Sequence, residues 1–501
     1  LVERFLALYE AEVVPALRRL RRSVVHADAN DFNVLVNAPH TEPREVVSVI
    51  DFGDMLHTVT VAEVAIAAAY AVLGKRDPLS AAAHVVAGYH GASPLEEAEI
   101  ALLYPLICTR LSVSVVNSAC RSAAEPDDPY LGVSERPAWE ALELLAAIHP
   151  RFACHVFRQT CGLPPVPESD EVVRWLKARA DTFAPVLGVD LRTERCLVID
   201  LSVGSLMLGA DPAALETPAL SGMILREMRS AGVAVGVGRY DEARPIYTSA
   251  AFAPGGNPTD EHRTVHLGID LFAAPGTSVH APLDGVVHRL ANNASPKDYG
   301  PFIILRHETG AGRAFHTLYG HLGPSCLAEL RVGQRVASGR RIAEVGAPPA
   351  NGDWPPHLHF QIIADLLDSV GDFPGVALAS RREVWKSLSP DPNVILGIPS
   401  TRFPAAEPAK AQTLAARRER LGLNLSVSYR EPLKIVRGWM QYLYDETGRA
   451  YLDAYNNVPL VGHSHPRVVK AVQAQMALLN TNTRYLHDQL TRYAERLTAL
   501  M

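Results

Sequence analysis

The feature that most restricts the fold is a spaced set of histidines and one aspartate in the middle of the chain. His266 and Asp270 lie in HLGID, and His357 and His359 lie in HLHF. If each segment is extended, alternate side chains share a face, so the members of each pair point the same way and Gly268 leaves room between the first two. Imidazole and carboxylate are groups that zinc prefers, and a catalytic zinc keeps one position open for water. Either pair alone is a weak indication, but together they predict a hydrolytic metal site in a β-rich segment.

Further motifs follow in a fixed order between these pairs. HLGIDLFAAPGTSVHAPLDGVVH is followed by TLYGHL, RVGQRVASGRRIAEVG and HLHF. In identity and order these motifs resemble the M23 (LytM-like) metallopeptidase family. The resemblance implies that zinc is held by His266, Asp270 and His359, and that His321 and His357 are catalytic residues beside the metal-bound water. The other nearby histidines, which no motif claims, are expected to be structural or solvent-facing: His280, His307 and His316.

The implied chemistry is that of a zinc hydrolase. Zinc lowers the pKa of its bound water towards ~7 and polarises the scissile carbonyl, while histidines move the proton. In this sequence the Gly/Ser/Thr-rich approach to HxH is replaced by GAPPANGDWPPHLHF. Because that stretch borders the cleft in the family fold, we expect it to alter substrate preference.

Composition narrows the class of protein. The chain has 501 residues, 48% hydrophobic and 20% charged, so about three ordinary domains are expected. A net charge of −6 without a Lys/Arg stripe argues against a nucleic-acid or membrane-surface partner. Six cysteines without a CxxC pair predict reduced thiols, and no apolar run is long enough to predict a transmembrane helix. We therefore expect a cytoplasmic protein and, since the sequence begins at Leu1, a fragment of a longer one.

Changes of pattern along the chain predict a multidomain α+β protein. Apolar residues at three- and four-residue spacing predict helices over 1–167, interrupted by the strand pair VLVNAP and EVVSVIDFG. We predict a linker at GLPPVPESD, a linker and β-rich subdomain of unknown role over 168–250, and a mostly antiparallel β domain over 251–372. A second linker over 373–418 precedes a partial α/β segment over 419–501. We expect residues 190–247 to contact the peptidase-like domain and assign no chemistry to them.

The N-terminal segment carries a second chemical motif. VVHADANDFNVLV places His26, Asp28 and Asn33 in an HxDxxxxN pattern, and VVSVIDFGD places Asp51 after an apolar strand. This spacing is typical of phosphoryl transfer, in which one aspartate accepts the hydroxyl proton while an asparagine and a second aspartate hold Mg²⁺ against ATP. The segment resembles the larger, mainly helical lobe of the aminoglycoside phosphotransferase/choline kinase-like family, which implies Asp28 as catalytic base and Asn33 and Asp51 as magnesium ligands. Because no nucleotide-binding lobe precedes Leu1, we expect this chain to have weak kinase activity or none.

The C-terminal segment predicts a hairpin followed by a helix. A DETG turn joins the two strands of YLYDETGRAYLD, and GHSHP leads into the amphipathic VVKAVQAQMALL. Through SVSYREPLKIVRG, NNVPLVGHSHP and LLNTNTRYLHD it resembles the N-terminal segment of class III PLP-dependent aminotransferases, in particular the ethanolamine-phosphate and phosphohydroxylysine phospho-lyases. Neither Lys434 nor Lys470 lies in a Schiff-base context, so we expect pyridoxal phosphate, and a homodimer as one option, only where the rest of that domain is present.

Three functions are therefore open. The first is a zinc hydrolase acting on a peptide or a small amino compound. The second is a non-catalytic M23-fold spacer or binding module between a kinase and a PLP enzyme, and the third is a kinase proper. In a full-length protein the flanking parts would phosphorylate an amino alcohol and then eliminate the phosphate, a hypothesis that rests on family analogy.

Overall fold

The computed structural model describes residues 1–37, 45–124, 135–253, 257–422, 424–455 and 459–501. The end of VLVNAP and part of NNVPLVGHSHP lie outside these ranges. The first unit is mainly helical, as predicted. Its elements are α1 Val2–Leu8, a π-helical turn Tyr9–Val13, α2 Val14–Ala16, β1 Arg22–Val25, β2 Val34–Val36, β3 Val46–Val49, β4 Leu56–Val59, α3 Val61–Ala71, α4 Pro78–Ala92, α5 Glu97–Ala124, α6 Glu135–Ala146, α7 Pro150–Thr160 and α8 Pro167–Lys177.

Helix α5 is the central helix of this unit and contacts α1, α3, α6 and α7. Residues Glu97–Arg121 are long and apolar enough to cross a membrane by length and composition alone. In the structure, 61% of the apolar 18-residue stretch of this helix is buried. The helix buries apolar side chains such as Leu103 and Ile107 against its neighbours, which accounts for its composition without a membrane.

The predicted linker GLPPVPESD leads directly into a helix instead. Pro167 begins α8, where the missing proline N–H has no helical partner to lose. Val172 and Leu176 of α8 are fully buried, and the Trp175 ring lies 5.7 Å from that of Phe315. The prolines therefore begin a packed helix, and the linker prediction is wrong here.

The middle of the chain forms the β-rich part. Its elements are β5 Cys196–Ile199, α9 Thr217–Ala231, β6 Val235–Gly238, β7 Glu242–Ala243, β8 Arg263–His266, β9 Ile269–Phe272, β10 Ser278–His280, β11 Gly285–Asn293, β12 Gly300–Glu308, β13 Ala314–Gly320, α10 Cys326–Glu329, β14 Arg335–Val336, β15 Arg341–Glu344, β16 His357–Ile363 and β17 Val376–Leu378. Eight strands form one sheet in the order β14-β11-β12-β13-β16-β9-β6-β5, antiparallel except for the β5–β6 pair. A three-stranded sheet, β17-β8-β7, and the pair β10–β15 lie beside it. Residues 190–247 thus contact the peptidase-like domain, as expected from the sequence, and their strands β5 and β6 also extend its sheet, which was not predicted.

Both faces of the large sheet are covered, which explains its continuous apolar strands. In PFIILRHE, Phe302 and Ile304 belong to the apolar core shared with the helical unit, whereas Ile303 and Leu305 face a second core that contains α8. The period of two along β12 separates these two cores. The sheet is therefore the middle layer of the molecule.

The segment predicted as a second linker is largely folded onto this sheet. Besides β17 it contains α11 Arg382–Leu388, α12 Asn393–Leu396 and α13 Lys410–Arg420. Phe373, Leu388 and Ile395 are at most 3% exposed. Residues 373–398 thus complete the cores, and the linker prediction is wrong for them.

The C-terminal segment has the predicted hairpin and helix. A three-stranded sheet is formed by β18 Ile435–Trp439, β19 Tyr442–Asp445 and β20 Ala450–Leu452, followed by α14 Pro466–Leu478 and α15 Asp488–Thr498. Short 3-10 turns complete the described elements: Phe52–Asp54, Ala180–Thr182, Pro212–Leu215, Ala250–Phe252, Ala379–Arg381 and Ser400–Arg402. All six cysteines are free, as predicted.

Candidate metal centre

Three strands bring the predicted ligands together. Asp270 in β9 lies directly opposite His359 in the neighbouring β16. His266 ends β8, which belongs to the small sheet, because the chain leaves the strand at Leu267 and Gly268. The expectation of one extended strand from His266 to Asp270 is therefore wrong, although the two side chains meet as expected.

The donor atoms of these three side chains form a nearly equilateral triangle. His266 Nε2 lies 3.0 Å from His359 Nδ1, and Asp270 Oδ1 lies 3.1 Å from each of these nitrogens. Tetrahedral zinc with bonds of about 2.0–2.2 Å holds neighbouring donors roughly 3.3–3.6 Å apart, so a small expansion admits the ion. Within the described part of the chain, this is the group of His, Cys, Asp and Glu side chains whose donor atoms converge in this way. All three residues are at most 3% exposed.

Each ligand imidazole is oriented by an acceptor on its outer nitrogen. His266 Nδ1 lies 2.9 Å from the Arg239 carbonyl oxygen, and His359 Nε2 lies 2.9 Å from Gln361 Oε1. The Gln361 amide presents this oxygen because its nitrogen donates to the Pro374 carbonyl, 3.1 Å away. An acceptor on the outer nitrogen requires a proton there, so the inner nitrogen of each neutral ring carries a lone pair. Two lone pairs and a carboxylate oxygen at these distances repel one another unless a cation lies between them, so the donor set fits zinc.

The carboxylate is held from behind by a buried arginine. Arg244 Nη1 donates to Asp270 Oδ2 at 2.6 Å, and Arg244 Nε donates to Glu242 Oε2 at 2.7 Å. Arg244 is 1% exposed and Glu242 is 5% exposed. Neither residue was predicted from the sequence, because both lie in a stretch without a motif. Arg244 leaves Asp270 Oδ1 free to face the two histidines.

The predicted catalytic histidines lie beside the triangle. His321 follows β13 with a φ of 62° and its Nδ1 lies 2.9 Å from the Asn351 carbonyl oxygen. His357 Nδ1 lies 2.6 Å from the Pro355 carbonyl oxygen, and its Nε2 is 3.6 Å from Asp270 Oδ1. The two ring centroids are 4.4 Å apart. Both acceptors belong to GAPPANGDWPPHLHF, so this unusual stretch orients both histidines.

Burial sets the protonation state of the centre. Burial lowers the pKa of His266 to about 4, and it also lowers the pKa values of His321 and His357. Burial alone would raise the pKa of Asp270, but His266, His357 and Arg244 hold it well below its ordinary value. Neutral imidazoles and an ionised carboxylate are the states that metal ligands require.

The three predicted ligands and the two predicted catalytic histidines line one cavity of about 260 Å³. Its other walls combine aromatic and aliphatic side chains with charged groups: Leu201, Leu220, Ile224, Tyr247, Phe252, Arg263, Lys297, Asp298, Trp354 and Asp372 are among them. None of the three histidines expected to be structural lines it. His307 is buried between the Asp284 carbonyl and the Thr317 hydroxyl, each 2.8 Å away, as expected for a structural side chain.

The phosphotransferase-like residues lie far along the chain in the helical unit. Asp28 Oδ2 accepts from Asn33 Nδ2 at 3.0 Å, and Asp28 Oδ1 accepts from the Tyr70 hydroxyl at 2.9 Å. Asp51 adopts a left-handed conformation at the start of the turn Phe52–Asp54. His26 Nε2 lies 2.9 Å from the Ile50 carbonyl oxygen and so ties the HxD segment to the residue before Asp51. The structure therefore joins the HxDxxxxN and DFGD motifs, with Asp28 and Asn33 in direct contact.

Comparison with known proteins agrees with the separation of a phosphotransferase-like part from a peptidase-like part. Residues 264–368 match Peptidase family M23, and residues 1–102 match the Phosphotransferase enzyme family. The chain is 31% identical to a hydroxylysine kinase of Mus musculus over 150 residues, which are 29% of this chain and 40% of the relative. Over 94 residues, 19% of each protein, it is 49% identical to "Alanine--glyoxylate aminotransferase 2-like" of Drosophila melanogaster. It is 37% identical to "Ethanolamine-phosphate phospho-lyase homolog 1" of Caenorhabditis elegans over 94 residues, 19% of this chain and 20% of the relative.

These relatives are matched over less than half of their length, as the shares above state. Among solved structures, a zinc containing peptidase from Vibrio cholerae is 28% identical, covers 21% of this chain and 31% of that chain, and has a TM-score of 0.17. The two family models match the parts of the chain in which the corresponding motifs lie. The chain therefore carries a domain of peptidase family M23, together with a segment of the phosphotransferase enzyme family and a segment related to aminotransferases and phospho-lyases.

Proposed function

We propose that the M23 domain is a zinc-dependent peptidase that hydrolyses an amide bond of a peptide or small amino compound in the cytoplasm. The observation that carries this proposal is the triangle of His266, Asp270 and His359, whose outward atoms are all occupied by protein partners. Their inward atoms converge, and two further histidines line the same cavity.

His266, Asp270 and His359 would hold the ion. Zinc bound there would polarise the scissile carbonyl and lower the pKa of a bound water. His321 and His357 each commit Nδ1–H to a backbone carbonyl, so Nε2 is the nitrogen available to accept a proton. Their lowered pKa values keep them neutral at pH 7, as a general base must be, and either can then donate that proton to the leaving amine.

The test removes the metal with a chelator, restores zinc and follows hydrolysis of a peptide library by mass spectrometry. We expect zinc to restore cleavage, and we expect His321→Ala and His357→Ala to lower kcat by about 10²–10⁴ while zinc stays bound. His280→Ala, a histidine outside the cavity, serves as the control. A protein that binds zinc at the three ligands but cleaves nothing would instead be the non-catalytic module.

For the flanking parts we propose consecutive steps on an amino alcohol in a protein that contains both complete domains. The support is the likeness to a hydroxylysine kinase and to an ethanolamine-phosphate phospho-lyase homologue, together with the contact between Asp28 and Asn33. Asp28 would accept the hydroxyl proton, Asn33 and Asp51 would hold Mg²⁺ against ATP, and pyridoxal phosphate would serve the elimination in a homodimer. ATP-dependent release of phosphate and ammonia from hydroxylysine or ethanolamine tests this, with Asp28→Asn as the inactive variant. No turnover of either compound or close relatives by a protein with both complete domains would count against it.

A further inference from the structure

The metal centre is covered by a wall that precedes the M23 motifs in the chain. We define the wall as residues 200–253. The side chains that it adds to the cavity lining include Leu201, Leu220, Ile224, Tyr247 and Phe252. Beneath it the five centre residues are only 2% to 6% exposed. A substrate must therefore enter the cavity to reach these side chains.

Hydrogen bonds fasten the wall to the opposite side of the cavity. Thr217 Oγ1 at the start of α9 donates to the Asp353 carbonyl oxygen at 2.6 Å. Lys297 Nζ donates to Thr217 Oγ1 and to the Asp353 carbonyl oxygen. These contacts join the wall to the loop that orients His321 and His357.

Aromatic rings continue this closure. The Tyr247 ring lies 4.9 Å from that of Phe252 and 6.0 Å from that of Trp354, and Phe252 lies 6.4 Å from Trp354. Two of these rings come from the wall and one from the loop before His357. Together they form an apolar surface beside the centre, which favours an apolar substrate side chain.

The C-terminal hairpin supports the wall from outside. Arg437 in β18 donates to the carbonyl oxygens of Val203, Ser205 and Gly209. Trp439 is 3% exposed and belongs to the apolar cluster that also contains Leu220. The wall is thus held between two domains and is not a free loop.

We propose that this wall makes the site selective for short peptides of roughly two or three residues with an apolar side chain next to the scissile bond. The inference rests on the proposed peptidase function. A cavity of about 260 Å³ is smaller than the ~300–1,000 Å³ typical of sites for drug-sized ligands, so a longer chain collides with the wall.

The test measures binding as well as cleavage in the zinc-loaded protein. A dipeptide hydroxamate with an apolar side chain and a hexapeptide hydroxamate that contains the same dipeptide are titrated by calorimetry, and hydrolysis of matched dipeptides and hexapeptides is compared. We expect the shorter compound to bind about tenfold more tightly and kcat/KM to favour the shorter substrate by a similar factor. Phe252→Ala should reduce both ratios to about threefold or less, whereas Phe252→Leu should keep most of the preference.

Phe183→Ala is the matched control. Phe183 is 4% exposed, belongs to the apolar core that contains α8 and does not line the cavity. Equal affinities and rates for both lengths would overturn this inference and leave the peptidase function intact. Absence of any cleavage with zinc bound would refute the peptidase function, and the inference with it. Ratios that Phe252→Ala leaves unchanged would show that the wall does not set the length.

Discussion

Replacing Arg244 with methionine tests whether Arg244 supports Asp270, the proposed metal ligand. Methionine keeps apolar bulk but removes a charge that is 1% exposed and donates to both Asp270 and Glu242. Removal of one partner of a buried ion pair destabilises a protein by about 3–5 kcal/mol, because the remaining charge stays buried. Glu242 keeps a bond from Arg239 Nε at 2.7 Å, so we expect the lower end, about 3 kcal/mol, with the loss concentrated at Asp270.

Two measurements separate the stability effect from the effect on metal binding. Urea denaturation in the presence of chelator gives the change in free energy of unfolding, and competition with a zinc indicator gives the change in zinc Kd. Residues behind metal ligands affect affinity by about 10–100-fold, so we expect Kd to rise within that range. The Arg244→Lys protein should have a stability and a zinc Kd between those of the wild type and Arg244→Met, because one ammonium group does not reproduce the guanidinium fork that reaches both carboxylates.

Arg341→Met is the control for this prediction. Its side chain is 42% exposed and pairs with Glu329 and Glu344 at 3.2 and 3.3 Å. Such surface pairs contribute about 0–1 kcal/mol, and zinc binding should not change. If Arg244→Met altered stability and zinc affinity no more than Arg341→Met does, the role assigned to Arg244 would be refuted.

Two further predictions concern the space and the protonation of the domain. Gly268→Ala should weaken zinc binding in the same indicator assay, because the new Cβ would lie 2.6 Å from His359 Cε1. Gly188→Ala is the control, since no atom lies within 4 Å of its new Cβ. Equal zinc affinities of the two variants would contradict this prediction. Lowering the pH from 7 to 5 should reduce the free energy of unfolding, because burial lowers the folded-state pKa of His307 to about 4 and of His316 to about 3, while unfolded histidine titrates near ~6.5. Below about pH 6.5 the unfolded state binds more protons than the folded state. The free energy of unfolding, constant above that pH, therefore falls by up to ~1.4 kcal/mol per histidine per pH unit. Urea denaturation measures this slope, and a His307→Gln protein with the same pH slope would argue against the prediction.

The sequence predicted the metal centre because its residues lie in short motifs. His266, Asp270 and His359 lie in the short patterns HxxxD and HxH, and the resemblance of these patterns to the M23 family implied the ligand set before the strands were known. Gln361 could also have been found, since it lies two residues after His359 on the same strand face. Its role as acceptor for the ligand imidazole follows from that alternation.

Other features could not be predicted because they depend on contacts between distant segments. Arg244 reaches Asp270 across 26 positions, and no spacing rule marks it. The wall over the cavity is likewise made by α9 and the Tyr247 region, whose sequence indicates only ordinary packing. The segments predicted as linkers show the same limit: prolines and glycines mark turns in a sequence, but they do not show whether the chain between them is buried.

The most direct test of the central claim is the zinc content of the purified protein after chelation and reconstitution, measured by elemental mass spectrometry. The arrangement of donors predicts one zinc ion per chain. It also predicts that the ion is lost in His266→Ala, Asp270→Ala and His359→Ala but retained in His321→Ala and His357→Ala. A protein that takes up no zinc, or whose zinc content is unchanged by His266→Ala, would contradict the assignment of the metal centre.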